Sequence, residues 1–335
     1  RPSARVESSS LDQRHQRVCT EETTPRASAD ACAAYVGLMG ELWEAQVAGL
    51  DGLAAVTELL QRVRSAHPTA GLFEAADVQW WWGQRARSTD DQPQLVWFDE
   101  LGRPEAAVVA TAFGASVQLN PTFLPDVEPD LVAHVMKRGL AHASDCGHAN
   151  VTLEVDPANI ALRDVLAAHG FEVEGNGLVE TWLNATERPP ISTLPDGYQR
   201  RIRAETRHLP HPMTSTERNN PDPEARLRQT SLYRPDLDLA IYDTDDAVAA
   251  YGLFWYDSKS ATGLVEPMRT EDAHQSRGLA RHVLTAGLDL LAKAGAERIK
   301  ICYEPDNLAS SHLYLSVGFQ PDRQTLVYAG PTRRR

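Results

Sequence analysis

The sequence has few cysteines and no long hydrophobic run. Its 335 residues include four cysteines, none of them in the Cys-x-x-Cys pair of a typical zinc site. We therefore expect no metal and a reducing compartment. No apolar stretch approaches the length of a membrane-spanning helix, and residues 1–30 lack the apolar core of a signal peptide. These absences predict a cytoplasmic protein without a membrane partner.

Positive charge is also scarce. The chain carries 33 Lys and Arg residues against 46 Asp and Glu residues, so its formal net charge at pH 7 is −13. Nucleic-acid phosphates need a basic surface, so we expect no nucleic-acid partner. The same charge suits a cationic small molecule, although an acidic surface also simply favours solubility.

A strand, a glycine-containing loop and a helix follow one another after residue 260. The apolar run from Ala261 to Met268 predicts the strand, and apolar residues at helical spacing from Leu279 onward predict the helix. Between them, Gly278 can adopt a positive φ. The free N–H groups of such a loop and the helix dipole form a cradle for phosphate. Alone, this motif is weak, because most strand–Gly–helix turns are structural connectors.

A second block, residues 297–319, strengthens the functional interpretation. It predicts a strand, then a helix that begins at Asn307, and then a Gly-Phe pair that ends the helix. Together the blocks resemble the GCN5-related N-acetyltransferase (GNAT) superfamily. The matching residues are Gln275, Gly278, Ala280, Asn307, Ala309, Leu313, Tyr314, Gly318 and Phe319. The resemblance implies an α+β (α/β) fold, with a mixed, mainly antiparallel twisted sheet flanked by helices, and acetyl-CoA or another acyl-CoA as co-substrate.

An internal repeat relates the two halves of the chain. Residues 151–171 align with residues 299–319 without a gap, and identical residues fall on turn and cap positions. These identities are Pro157 with Pro305, Asn159 with Asn307, Ala161 with Ala309, Gly170 with Gly318, and Phe171 with Phe319. We therefore predict two tandem GNAT folds: a first half over 41–185 and a second half over 198–330. Residues 1–40 are expected to be a disordered or helical extension, and residues 186–197 a linker.

The first half lacks the cradle. At the offset of the repeat, Gly278 corresponds to Asp130, and Tyr314 corresponds to Leu166. A carboxylate at the start of a helix satisfies the helix dipole itself and would repel a diphosphate. Leucine cannot exchange a proton. We therefore predict that the first half is a degenerate domain that serves as a scaffold, while the second half binds acyl-CoA and is catalytic.

The resemblance implies roles for residues of the second half. Tyr314 would protonate the leaving sulfur of CoA, and Asn307 would contact the CoA arm or a water while also capping its helix. The cradle would bind the pyrophosphate, and the preceding strand would pair with the pantetheine arm. The candidate cofactor-binding residues are Met268, Arg269, Thr270, Gln275, Ser276, Arg277, Gly278, Leu279, Ala280 and Asn307.

The base and the acceptor site are less constrained. Period-two alternation places Glu266 on the same face as Met268. Its carboxylate is a candidate base, or it attracts a cationic substrate or forms a salt bridge. In this family the segment at 204–231 covers the acceptor site. The hairpin aromatics Tyr242, Trp255 and Tyr256 either line that site or pack in the core.

These features predict an acyl-CoA-dependent N-acetyltransferase that acts on a small-molecule primary amine by direct transfer in a ternary complex. The amine is expected to be cationic, and the protein a monomer or homodimer. Two alternatives stay open. One is an aminoacyl-tRNA-dependent transferase on a tandem GNAT-like fold, which the cradle and the acidic charge disfavour. The other is a non-catalytic acyl-CoA-binding protein, which Tyr314 disfavours.

Overall fold

A computed structural model describes residues 34–37, 40–113, 116–215 and 223–333. These ranges contain thirteen strands and seven α-helices. The strands are β1 (Ala34–Gly37), β2 (Gly40–Val47), β3 (Gln94–Phe98), β4 (Pro104–Phe113), β5 (Ser116–Phe123), β6 (Asn150–Val155), β7 (Glu172–Asn184), β8 (Gln199–Ile202), β9 (Asp238–Tyr242), β10 (Val248–Asp257), β11 (Thr262–Thr270), β12 (Arg298–Tyr303) and β13 (Gln320–Pro331). The helices are α1 (Gly49–Ala66), α2 (Ala75–Gln84), α3 (Pro129–Asp145), α4 (Ile160–Ala168), α5 (Pro223–Leu227), α6 (Leu279–Ala294) and α7 (Leu308–Ser316).

The thirteen described strands form one sheet. Their order is β1-β2-β3-β4-β5-β6-β13-β7-β12-β11-β10-β9-β8. Neighbouring strands are antiparallel except for two parallel pairs, β5–β6 and β11–β12. The predicted fold class, mixed and mainly antiparallel with flanking helices, is confirmed. One difference is that the two predicted sheets are joined into a single continuous sheet.

The two halves are joined because they exchange β7 and β13, the two longest of the described strands. β7, which ends the first half, pairs with β12 of the second half. β13, which ends the second half, pairs with β6 of the first half. β7 and β13 also pair with each other. Each half therefore completes its hydrogen-bonded ladder with a strand from the other half.

The predicted N-terminal extension, residues 1–40, falls largely outside the described residues. Within it, residues 34–37 form strand β1 instead of the predicted helix or disordered segment, because their backbone pairs with β2. No described helix is both long enough and apolar enough to cross a membrane.

Both parallel pairs open into clefts. Within the fully described strands β11 and β12, pairing covers only Thr262 to Leu264 opposite Arg298 to Lys300. The strands β5 and β6 share a single register pair, Gln118 with Thr152. Beyond these points the facing backbone groups lack a neighbouring strand. Such groups need other partners, and an extended ligand can supply them by adding itself to the strand edge.

Helices cover both faces of the second half of the sheet. On one face, Phe254 and Val265 pack with the apolar side of α6. On the other face, Trp255 and Leu264 pack with Trp80 of α2. Because α2 belongs to the first half, a helix of the first half covers the sheet of the second half, beside the β11–β12 cleft.

Close approach of α6 to β10 depends on Gly287. A Cβ atom at this position would lie 1.9 Å from Cζ of Phe254. We expect Gly287→Ala to lower the free energy of unfolding by about 1–3 kcal/mol, because the buried ring must move. Chemical denaturation measures this loss. The control is Gly175→Ala, where a Cβ atom would meet nothing within 4 Å and the change should stay within about 0.5 kcal/mol. Equal losses in both variants would contradict the packing described.

Candidate active site

A cavity of about 670 Å³ occupies the cleft between β11 and β12. Four of the residues predicted from the sequence line it: Glu266, Met268, Asn307 and Tyr314. The other predicted residues, at 269–270 and 275–280, do not line this cavity. The volume falls in the range of small-molecule sites, about 300–1,000 Å³.

Tyr314 lies in α7 with 8% of its surface exposed. Its ring packs beside those of Tyr303 and Phe319, with centroid distances of 6.2 and 6.4 Å. Burial raises the pKa of Tyr314, while a hydrogen bond with the Ser310 side chain partly opposes the shift. The hydroxyl therefore stays protonated at neutral pH, as a proton donor at this cavity requires.

Asn307 caps α7. Its side-chain Oδ1 accepts a hydrogen bond from the backbone N–H of Ser310 at 3.1 Å. In the first half, Asn159 makes the same contact to the N–H of Leu162, also at 3.1 Å. Capping alone accounts for an asparagine in both halves. The second of them also lines the cavity.

Glu266 is not on the face of Met268, so the prediction from alternation was wrong. The β10–β11 register shifts between the pairs at Gly252 and Phe254, which disrupts the alternation of β11. Met268 packs against the core under α6. The carboxyl of Glu266 instead hydrogen-bonds with the side chains of Asp77 and Trp80 of α2 on the opposite face. Both residues reach the cavity because it extends through the gap in the sheet.

The cavity is acidic. Its lining carries five carboxyl groups: Asp77, Glu154, Glu180, Glu266 and Glu304. Lys300 lies close by but is fully buried and already paired, with Nζ 3.0 Å from Glu180 Oε1 and 3.5 Å from Glu74 Oε1. In the described part of the chain, no three His, Cys, Asp or Glu side chains are placed to hold a metal ion. The excess negative charge favours a cationic ligand.

Much of the cavity wall comes from the first half, which the sequence analysis missed. The contributing residues are Leu72, Phe73, Asp77, Trp81, Phe113, Gln118, Glu154, Leu178 and Glu180. No described residue of the segment at 204–231, which the resemblance placed over the acceptor, lines the cavity. A signal was present in the sequence: Glu154, Glu180 and Lys300 each interrupt an apolar strand, and charged residues inside strands indicate buried ion pairs or a site.

The structure also shows whether the hairpin aromatics line the site or pack in the core. Trp255 and Tyr242 are 1% and 2% exposed and belong to the core beneath α2. Tyr256 packs against the core under α6. None of the three lines the cavity. Among the adjacent tryptophans Trp80 to Trp82, the middle one does, and its ring meets Phe73 and Phe113 edge to face.

The cradle loop connects β11 to α6. Ser276 and Gly278 both have left-handed backbone, with φ of 59° and 80°. The backbone N–H groups of residues 276–280 find no acceptor in the described ranges. A Cβ atom at Gly278 would meet nothing within 4 Å, so this side of the loop is open. Unpaired N–H groups in this conformation, at the start of a 16-residue helix, form a concave site for an anion.

Side chains of the cradle hold the loop in place. Tyr198 hydrogen-bonds through its hydroxyl with His274 at 2.9 Å and accepts from Arg277 at 3.2 Å. Gln275 donates to Asp272 at 3.2 Å. Arg269, at the end of β11, pairs with a neighbouring glutamate at 3.1 Å. These side chains are used for positioning, which leaves the backbone as the ligand-facing part of the loop.

The first half has a similar cleft without the cradle. A cavity of about 540 Å³ lies beside the diverging β5 and β6. Helix α3, which corresponds to α6, is preceded by Glu128 and has Asp130 in its first turn. Leu166 is fully buried. That the first half does not bind acyl-CoA stays a prediction.

A sheet with parallel strands that diverge, and a positive-φ cradle after the first of them, is typical of the GNAT fold, and the two halves of this chain repeat the sheet. Residues 203–319 match the family described as Acetyltransferase (GNAT) family. A segment of 99 residues is 26% identical to mycothiol acetyltransferase of Beutenbergia cavernae, and covers 29% of this chain and 33% of that protein. The match thus spans about a third of the length of this curated relative.

Solved structures share the fold over nearly the whole chain. A tandem GNAT protein from the clavulanic acid biosynthesis pathway superposes with a TM-score of 0.63 at 15% identity, covering 88% of this chain and 99% of that one. A GCN5-related N-acetyltransferase from Sphaerobacter thermophilus has a TM-score of 0.52 at 16% identity, covering 87% and 96%. The protein therefore shares its fold with these structures over nearly its whole length.

Proposed function

We propose that the protein is an acetyl-CoA-dependent N-acetyltransferase that transfers the acyl group directly to a small, cationic primary amine. The observation that carries this proposal is the cavity in the β11–β12 cleft. One part of its wall holds the protonated hydroxyl of Tyr314, and another holds a group of carboxyls that includes Glu266. A proton donor and a proton acceptor in one small cavity are what aminolysis of a thioester requires.

The second half offers matching contacts for CoA. When bound, acetyl-CoA supplies the acyl group as a thioester. The N–H groups of residues 276–280 would hold the pyrophosphate. Residues Met268 to Thr270 of β11 would present unpaired backbone groups to the pantetheine arm, since β11 and β12 have separated before this point. The acyl end would then lie at the cavity.

The remaining residues act on protons. The acidic wall attracts an ammonium group, and Glu266 accepts a proton from it, which frees the nitrogen lone pair. As the new C–N bond forms and the C–S bond breaks, Tyr314 donates its proton to the sulfur. Both groups exchange protons with water afterward. Each proton transfer of this kind contributes about 10²–10⁴ in rate.

Release of free CoA from acetyl-CoA, measured with a panel of amines, tests the proposal. The panel contains diamines, amino sugars and thiol-amines, with neutral amides as controls. We expect CoA release with cationic amines alone. If no amine supports release while calorimetry still detects CoA binding, the protein is a non-catalytic acyl-CoA-binding protein and the proposal fails.

Tyr314→Phe tests the proton donor. We expect kcat to fall by about 10²-fold, with little change in the KM for acetyl-CoA, because the ring and its packing are kept. Steady-state kinetics measures both constants. The control is Tyr303→Phe, a neighbouring ring that lines the same cavity. If Tyr303→Phe lowers kcat and Tyr314→Phe does not, the donor has been assigned to the wrong tyrosine.

A further inference from the structure

Asp77 brings a carboxyl of the first half into contact with Glu266 of the second half. It lies in the first turn of α2 and is 8% exposed. Its Oδ2 accepts a hydrogen bond from the backbone N–H of Glu74 at 2.6 Å. Its carboxyl also lies within hydrogen-bonding reach of that of Glu266. Both carboxyls line the cavity, so the contact is at the reaction site rather than in a sealed core.

This contact requires a proton. Two ionised carboxylates offer only acceptors, so a hydrogen bond between them exists only when one is protonated. Two like charges at this distance also disfavour ionisation of the second group. Burial raises the pKa of Asp77 to about 6, and burial together with the charge of Asp77 raises the pKa of Glu266 well above its usual range. Near neutral pH the two carboxyls therefore share one proton and one negative charge.

The surroundings offset that charge only in part. The charged and titratable groups that face the two carboxyls come from α2 and its flanks, β7, β12 and α7: they are Glu74, Arg87, Glu180, Lys300, Cys302 and Tyr314. Among the cations, Lys300 lowers the pKa values of the two carboxyls most, but it also pairs with Glu180 and Glu74. Trp80 donates a hydrogen bond to Glu266 and carries no charge. The shared negative charge is left for a ligand in the cavity.

We propose that Asp77 and Glu266 act together as one proton-accepting pair for the acceptor amine, so that each half of the chain contributes one carboxyl to the base. The inference rests on the proposed function. One N–H bond of the substrate ammonium breaks, and its proton moves to the unprotonated oxygen of the pair, which becomes neutral. The lone pair forms the C–N bond, the thiolate leaves and takes the Tyr314 proton, and the nitrogen's second proton replaces it through water. The pair then releases its proton to water, so one proton is released in each turnover.

Asp77→Asn separates proton sharing from a structural role. The amide oxygen still accepts the Glu74 N–H, so the start of α2 is kept. The amide carries no charge and takes no proton, so the pKa of Glu266 should fall. Glu266 then ionises alone, with no proton to share, and its single pKa lies between the two of the pair. A merely structural role for Asp77 would change stability without moving any pKa.

Infrared spectroscopy of the unliganded full chain detects the shared proton directly. We expect the carbonyl absorption of a protonated carboxyl to be present in the wild type at pH 7.5 and, as the pH rises, to persist to a higher pH than in either Asp77→Asn or Glu266→Gln. Glu304→Gln, which removes an exposed carboxyl of the same cavity, is the matched control and should keep the absorption. Should Asp77→Asn fail to fold, Asp77→Ser serves in its place, since its hydroxyl also accepts the N–H. The pair is refuted if the absorption is missing from the wild type at pH 7.5, or if it is lost at the same pH in both variants as in the wild type.

Kinetics gives a second readout. The acidic limb of the pH profile of kcat/KM reports the first ionisation of the pair, from neutral to singly charged. In Asp77→Asn no shared proton stabilises that charge, so the limb should move to higher pH. An unmoved limb would contradict the proposal. The infrared result does not depend on turnover. If the shared proton is found but no amine is acetylated, the pair stands and the proposed function fails.

Discussion

Gly278→Glu is expected to weaken binding of acetyl-CoA by at least about 10²–10³-fold. A carboxylate about 5 Å from a phosphate charge costs roughly 3 kcal/mol at an effective dielectric constant of 20. A side chain at the observed φ of 80° adds about 1–2 kcal/mol of backbone strain. Isothermal titration calorimetry with CoA measures the dissociation constant, and CoA release measures the loss of turnover.

Two controls separate charge, strain and position at the cradle. Gly278→Ala introduces strain without charge, so it should weaken CoA binding far less. Gly102→Glu introduces the same charge at another open, positive-φ glycine, with φ of 74°, in the β3–β4 turn, and should leave CoA binding unchanged. If Gly278→Glu binds CoA as the wild type does, residues 276–280 do not hold the pyrophosphate.

Lys300→Met is expected to lower the free energy of unfolding by about 3–5 kcal/mol at pH 7.5. The side chain is fully buried and pairs with Glu180 and Glu74, and it donates to the backbone oxygen of Leu72. Burial alone would lower the pKa of Lys300, but these carboxylates raise it, so the lysine stays charged. Methionine keeps the volume of the stem and leaves the two carboxylates without their shared cation.

The loss should depend on pH in a defined direction. Burial would raise the pKa of Glu74, but the charges of Lys300 and Arg64 lower it overall. Its ionisation therefore stabilises the wild type above the unfolded pKa of about 4.3, and this contribution disappears as the pH falls. Without Lys300 the carboxylate pKa rises, so the deficit of the variant is largest at neutral pH and shrinks toward pH 5.

Denaturant titrations at pH 7.5 and pH 5 measure this difference. The matched control is Lys293→Met, which removes a lysine that is 68% exposed and pairs with Asp289 at 2.7 Å. A surface pair of this kind is worth about 0–1 kcal/mol. Equal losses for the two lysines, or a loss at position 300 that grows toward low pH, would contradict a buried network.

Local order and repetition explain what could be predicted from the sequence. The matched turns and caps at Asn159 and Asn307 reveal two copies of one fold, because the same capping contact recurs. The positive-φ glycine of the cradle follows from its place between a strand and a helix. These features depend on residues close together in the chain, where spacing determines geometry.

Long-range pairing could not be predicted in the same way. The pattern of β7 does not reveal its partner, and Gly175 and Asn176 resemble a turn rather than the first part of a 13-residue strand. The face of Glu266 was mispredicted because alternation assumes an uninterrupted register, which β10 and β11 do not keep. Asp77 was missed because its neighbour is far along the chain and only α2 packing brings it there.

The exchange of β7 and β13 also bears on how such a chain can evolve. After an ancestral module is duplicated, a copy that loses its chemistry is ordinarily free to be deleted. Here deletion would remove the strand that lies beside β12, and would strip the cavity of Asp77 and Glu154. Selection must therefore preserve the scaffold of both copies, whether or not both of them bind a ligand.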